Sequence, residues 1–324
     1  MNPRFAAVAL LITVAAPARA WHDEGHHYIA LAAVRALPAD LPEYFRGEQG
    51  QAAIAHAALD PDLHAEGCIA ISRDANAPEH YIDLEYLGDR SLPATRHQFI
   101  VLCHELKLDP GKVGYLPYAI EEWTQRLAMA FAEHRRWPDN PHIHAKTRVY
   151  AGLLAHYSAD LTMPLHTSVH FNGRVTQQPD GTWSPTPKSG IHARIDALPT
   201  KLPYRAIFGE GWDPALQLPP PGENLTALIR GELRASHALV DRAYELEDRY
   251  PDLDVLELAD EDVRAFTIDR CRAGAIFTAR LYMQAWQLSG LLQEKKVAPP
   301  FWLDRETFDT RLDLDTIPPQ PPRP

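Results

Sequence analysis

The chemistry this chain could do rests on the spacing of its sixteen histidines to aspartate. In AHYSADLTMPLH, His156 and Asp160 are four residues apart, so a helix sets them on one face, one turn from each other. Pro164 ends that helix, and His166 comes back from the following turn. A second pair at the same spacing, His192 and Asp196, stands in GIHARIDALP after a long loop. Imidazole nitrogen and carboxylate oxygen so arranged suit zinc, which holds them at about 2.0–2.2 Å. One such pair is as readily a solvated helix face; two pairs with a third histidine between them favour metal. Upstream, LDPDLHAEG and APEHYIDLEYL carry Asp60, Asp62, His64, His80 and Asp83 in what reads as irregular chain. Asp60, before a proline, reads as a turn residue, whereas Asp62 and His80 join the ligand candidates. His56, His97, His104, His142 and His237 have no acid at ligand spacing and read as ordinary core or surface residues.

The elements that must position these residues are helical. Apolar residues recur at i, i+3 and i+4 through 24–36, 117–136, 142–161, 226–250 and 261–296. The last is apolar over a broad face, as expected of a central bundle helix. No alternating β-branched run marks a sheet. The expected fold class is therefore all-α: one mostly helical domain over residues 21–297 with long active-site loops. Turn formers fill 167–190 and 213–224, and the proline-rich tail within 298–324 is expected to be disordered. Asn224-Leu225-Thr226 matches a glycosylation acceptor.

Residues 1–20 read as an export signal. Arg4 opens it, an apolar run follows to Ala16, and Ala18-Arg19-Ala20 is a small-x-small cleavage site. The run is too short for a permanent membrane span, so the expectation is a secreted or periplasmic protein with no stable membrane anchor. Cleavage would leave Trp21 at the N-terminus with a free α-amine, a group that titrates near pH ~8. Cys68, Cys103 and Cys271 allow at most one disulfide, with no pair preferred. The formal charge of −11 becomes −13 once Arg4 and Arg19 leave with the signal. Such a chain is poorly suited to clamping duplex nucleic acid through lysine and arginine. Bound metal would be the source of positive charge for any work on phosphates.

The order of these elements resembles the secreted trinuclear-zinc nucleases that cut single strands, and the related bacterial zinc phospholipases C. The matching residues are Trp21, His26, Asp62, His80, His156, Asp160, His166, His192 and Asp196, in that order. The resemblance implies a phospholipase C/zinc nuclease-like fold and three Zn²⁺ ions per chain. It gives Trp21 (amine and carbonyl) and His26 to one ion, and Asp62, His80 and His156 to a second. Asp160 bridges these two, and His166, His192 and Asp196 hold the third. It also makes Asp62 and Asp160 the catalytic carboxylates, holding the zincs between which a water becomes the nucleophile toward phosphorus.

Three details resemble the nuclease branch: the Trp-x4-His spacing, the final Asp196 where the phospholipases carry Glu, and HYID beside the nuclease HFID. By that resemblance Tyr81 stacks on a base and Asp83 contacts its edge. The chain departs from the pattern at Ala65, where the nucleases carry a basic residue that supports the scissile phosphate; Arg73 is the candidate substitute. The expected partners are single-stranded nucleic acid or a small phosphodiester, with no protein partner inferred. The rival expectations are a phospholipase C acting on phosphatidylcholine-type lipids and a non-catalytic, zinc-stabilised binding protein.

Overall fold

The computed structural model describes residues 21–66, 70–209, 211–213 and 224–294. The signal segment, Cys68, most of the 213–224 loop and the proline-rich tail lie outside the described residues. Within them the domain is all-helical, with two isolated β-bridges and no sheet.

Three long helices form the centre. Leu116–Arg136, Pro141–Thr162 and Glu261–Glu294 pack against one another, and Asp23–Arg35 lies against the last of them. The Pro141–Thr162 helix starts where proline is tolerated, at its first position, and Asn140 Oδ1 caps the backbone N–H groups of His142 (2.9 Å) and Ile143 (3.4 Å). It ends at Met163, held extended by the following Pro164. Every residue from Ala151 to Thr162 is buried, so this half of the helix is enclosed on all sides. His156 and Asp160 sit there, in the middle of the bundle.

Close approach on one side of that helix depends on Gly152. A Cβ at this position would lie 2.5 Å from Ala57 Cβ, on the helix Glu48–Ala57. The missing side chain lets the two helices touch just where the Ala58 carbonyl must reach His156.

Four expected helices match closely: Asp23–Arg35, Leu116–Arg136, Pro141–Thr162 and Glu261–Glu294. The span 226–250 is not one helix. It runs from Leu225 to His237, breaks, and resumes as Val240–Glu245. The break serves two apolar cores. Leu228, Ile229 and Leu233 belong to the core around the central helices, whereas Val240, Ala243, Leu246 and Tyr250 join a second core with Trp21, Ile191 and Ile195. Asn224, read above as a glycosylation acceptor, caps the first piece by accepting from Ala227 N–H at 3.0 Å.

A second correction concerns Asp62. The stretch read as irregular contains the helix Asp60–Glu66, with Pro61 in its first turn, followed by Ala70–Asn76 and a 3-10 turn, Ala77–His80. An Asp-Pro pair opens a helix as readily as a turn, and here it opens a helix. Cys103 and Cys271 are buried free thiols. No helix among the described residues is long and apolar enough to cross a membrane.

Gly152→Leu is expected to cost about 1–3 kcal/mol by overpacking against Ala57, and to lower metal content because the Ala58 carbonyl is displaced. Urea unfolding and metal analysis of the same sample test this; unchanged stability would mean that the two helices separate freely.

Candidate metal centre

The described residues bring their His and Asp side chains together in three groups able to hold a metal ion: His26, His156 and Asp160; Asp62, His80 and His156; and His166, His192 and Asp196. All of these side chains are buried. Each triad can chelate one ion, matching a trinuclear zinc arrangement.

Asp160 stands between the first two groups. Its Oδ1 is 3.4 Å from His26 Nε2, while Oδ2 is 3.1 Å from His80 Nδ1 and 3.5 Å from His156 Nε2. His156 Nε2 also approaches His80 Nδ1 at 3.1 Å and Asp62 Oδ1 at 3.6 Å. An imidazole nitrogen has one lone pair to give, so His156 can serve only one ion. Its 3.1 Å approach to His80 Nδ1 favours the group of Asp62 and His80. The stacked rings of His26 and His156, centroids 3.7 Å apart, explain why His156 also falls within reach of the first group.

Backbone carbonyls set the ring orientations. His156 Nδ1 donates to Ala58 O (2.7 Å), His166 Nδ1 to His80 O (2.5 Å) and His192 Nδ1 to Phe171 O (3.1 Å). Each bond fixes the proton on Nδ1 and leaves the Nε2 lone pair pointing inward, as ligand histidines require. His166 Nε2 and Asp160 Oδ1 are buried and make no hydrogen bond. A buried acceptor without a donor is costly, and a cation removes that cost. The donor set therefore fits a metal.

The local folding that delivers these carbonyls is specific. His80 and His166 brace each other: Ile82 N–H donates to His166 O at 2.8 Å while His166 Nδ1 returns the bond to His80 O. The 168–190 loop is closed by Asn172, whose backbone oxygen accepts from Ser189 N–H and whose side chain accepts from Gly190 N–H, both at 2.9 Å. Glu85 holds the loop's start through Ser168 Oγ (2.5 Å) and Val169 N–H (3.0 Å). This closure puts Phe171 O on His192 at the beginning of the Ile191–Asp196 helix.

Electrostatics point the same way. Burial pushes the Asp160 carboxyl well above the usual range. Asp196 is pushed up by burial first and by the charges of Asp160 and Asp62 second. Burial, then the neighbouring histidines, holds His156 and His166 well below their ordinary value, and burial alone takes His192 down to about 4. A pocket that favours neutral imidazole and penalises bare carboxylate is one in which a cation is the stabilising occupant.

Trp21 is fully buried beside these groups. Its indole donates to Ala159 O at 3.0 Å, the residue before Asp160, and His22 N–H donates to Asp196 O at 3.2 Å. A cavity of about 380 Å³ opens onto the cluster. Its wall includes the ligand candidates Asp62, His80, His166 and His192, with Tyr81 and Asp83 alongside. Ala65 and Arg73 lie on the same wall. Tyr86, Lys112, Leu165 and Phe171 also line it and were not singled out in the sequence. The five histidines set aside, His56, His97, His104, His142 and His237, join none of the three groups.

No family model matches this chain, and no curated protein matches it. The three triads are able to coordinate metal ions, which is consistent with a metal-dependent enzyme.

Exported protein is expected to carry about three zinc ions per chain, and chelation to lower its Tm by removing ligand-linked stability. Asp160→Asn should lose more metal than His192→Ala, because Asp160 faces two groups with separate oxygens. Elemental analysis decides; equal losses would mean that Asp160 serves a single ion.

Proposed function

We propose that the chain is a secreted zinc phosphodiesterase with the phospholipase C/zinc nuclease-like fold, hydrolysing single-stranded DNA and RNA. The observation that carries this reading is Asp160, with one oxygen toward His26 and the other toward His80 and His156, while the third triad's histidines share the cavity with His80. Zinc bound to these residues would supply charge to phosphoryl oxygens and lower the pKa of water.

The chain's own residues do the rest. Asp62, His80, His156 and Asp160 would hold one ion, His26 and Asp160 with the main chain of Trp21 a second, and His166, His192 and Asp196 a third. Asp62 and Asp160 are the catalytic carboxylates of this reading, since they would hold the ions that supply charge to the phosphoryl oxygens and lower the pKa of water. Leu165 and Phe171 exclude bulk water from the cavity wall. Arg73, on the same cavity wall as the ligands, takes the place of the base missing at Ala65; its guanidinium is exposed beside Asp74 at 3.5 Å.

Tyr81 offers a ring to the cavity while its hydroxyl is tied to Gly111 O at 2.8 Å, so the ring is held for stacking. Stacking of this kind gives about 1–3 kcal/mol per base and tolerates any base. Burial and then Glu85 push the Asp83 carboxyl well above the usual carboxylate range, and in this reading that carboxyl meets the base edge. The net charge of −11 suits a flexible strand that threads into a cleft better than a duplex gripped along a face.

Trp21 supports cleavage after Ala20. In the uncut chain its φ is +31°, a left-handed value that a bulky side chain rarely adopts. A chain that begins at Trp21 has no φ to strain, and its amine becomes a ligand.

A second reading, zinc phospholipase C, is favoured by one observation. Leu63 and Ile71 are 63% and 80% exposed on the two short helices that also carry the cavity residues Asp62, Ala65 and Arg73, apolar surface of the kind a lipid would need. Zinc-loaded exported protein should release nucleotides from single-stranded DNA and RNA and leave phosphatidylcholine intact. Diacylglycerol release without nucleotide release selects the lipid reading, and occupied sites with no turnover select a binding protein. A variant with one extra residue before Trp21 should keep its helical circular dichroism and lose most activity; full activity would refute the terminal ligand.

A further inference from the structure

Lys112 is a cation on the cavity wall with no assigned task. It is exposed and makes no ion pair with the described residues, in a chain with 43 acidic against 32 basic side chains. Solvent accounts for a lone surface lysine; the question is what holds this one at the cavity.

Its segment is stapled to the one that carries Tyr81. Tyr115 N–H donates to Pro78 O (2.7 Å), Leu116 N–H to Tyr81 O (3.2 Å) and Asp83 N–H to Val113 O (2.7 Å). The Tyr81 hydroxyl adds its bond to Gly111 O, the residue before Lys112. Gly114 makes the contact possible: its φ is +95°, and a Cβ there would lie 2.1 Å from Tyr81 O. Lys112, Tyr81 and Asp83 therefore move as one block. Arg73 stands on a different element, Ala70–Asn76, whose Ser72 Oγ bonds His64 O at 3.0 Å on the Asp62 helix. Arg73 and Lys112 thus belong to different elements of the wall: Arg73 beside the Asp62 helix, Lys112 on the Tyr81 block.

We propose that Lys112 binds a backbone phosphate flanking the scissile one, that of the nucleotide whose base lies on Tyr81, so that the site prefers an oligonucleotide to a diester with a single phosphate. This rests on the nuclease reading. A cation whose backbone is tied to the stacking platform stays within reach of the phosphate of the stacked nucleotide, because the sugar that joins base to phosphate limits how far apart they lie. A single-phosphate diester has nothing to place there.

The test uses zinc-loaded exported protein and two substrates, a single-stranded DNA oligonucleotide and bis(4-nitrophenyl) phosphate. Wild type is compared with Lys112→Gln, Lys112→Arg and, as a control for charge loss elsewhere, Lys107→Gln, which is exposed and off the cavity wall. One phosphate contact on a single strand is worth about 0.7 in the slope of log(kcat/KM) against log salt. Lys112→Gln should therefore flatten the oligonucleotide slope by about 0.7, mainly through KM. It should also cut the ratio of oligonucleotide to small-diester kcat/KM by roughly fivefold at 0.1 M relative to 1 M salt. Lys112→Arg should restore both, and Lys107→Gln should leave the slope as it was. An unchanged slope in Lys112→Gln, or an equal fall on both substrates, overturns the proposal for Lys112 alone. Wild type that turns over the small diester and leaves the oligonucleotide whole overturns the nuclease reading, and the Lys112 proposal with it.

Discussion

Everything in this molecule is arranged around carboxylates that have been taken out of water. Asp160 and Asp196 have no exposed surface, and His26, His156, His166 and His192 surround them almost as deeply. Moving an isolated carboxylate into such a medium costs far more than a domain's whole stability, unless it takes up a proton or a charge of opposite sign comes with it. Lysine and arginine do not fill that role for Asp160 or Asp196: among the described residues, the ion-pair partners of these two carboxyls are histidines. Neutral imidazoles accept a cation but cannot neutralise an anion. The chemistry of the donor set thus asks for metal, and the bundle's geometry follows from having to keep the donors inward.

That demand explains features that look incidental when taken singly. A helix buried on every side is wasteful unless its interior face has work, and Pro141–Thr162 carries His156 and Asp160 through its most enclosed turns. Three histidines spend their Nδ1 protons on backbone carbonyls from Ala58, His80 and Phe171, which lie in three separate segments. Each carbonyl is rigid because its own segment is closed: by the Gly152 contact, by the His80–His166 brace, and by Asn172 at the neck of the long loop. The loop of residues 168–190 is long because it must leave the central helix, fix Phe171, and return to begin the His192 helix.

Much of this was legible in the residue order. Helical periodicity in Leu116–Arg136, Pro141–Thr162 and Glu261–Glu294 is strong because each buries a broad face, and the four-residue spacing of His156 with Asp160 is a local property of a helix. Asp62 was harder. Its helix is seven residues long, too short for a period to declare itself, and Asp-Pro reads equally as a turn. The break after His237 was not legible, because the decision belongs to two apolar cores rather than to any residue at the break. The carbonyls that orient the histidines leave no signal at all, since every residue has one. Lys112 and Phe171 reach the cavity only by tertiary placement.

The charge balance resolves once location is separated from sum. A chain at −11 repels polyanions as a whole, yet the cavity wall carries Arg73 and Lys112 along with Asp62 and Asp83, and bound zinc would add positive charge there. Fields from exposed charges fade over about 10 Å in 0.1 M salt, so a strand inside the cavity would feel mainly its wall, while a duplex lying on the outside would feel mainly the acidic surface. In the proposed function this makes the acidic exterior a device for selection. It excludes the stiff substrate that cannot enter and leaves the flexible one to meet Tyr81, Lys112 and the metal ligands together. The same separation would act against an anionic membrane surface, where Leu63 and Ile71 would have to gain enough apolar contact to offset the repulsion. A zwitterionic lipid presents no such barrier, and so phosphatidylcholine is the lipid against which the nucleic-acid reading has to be measured.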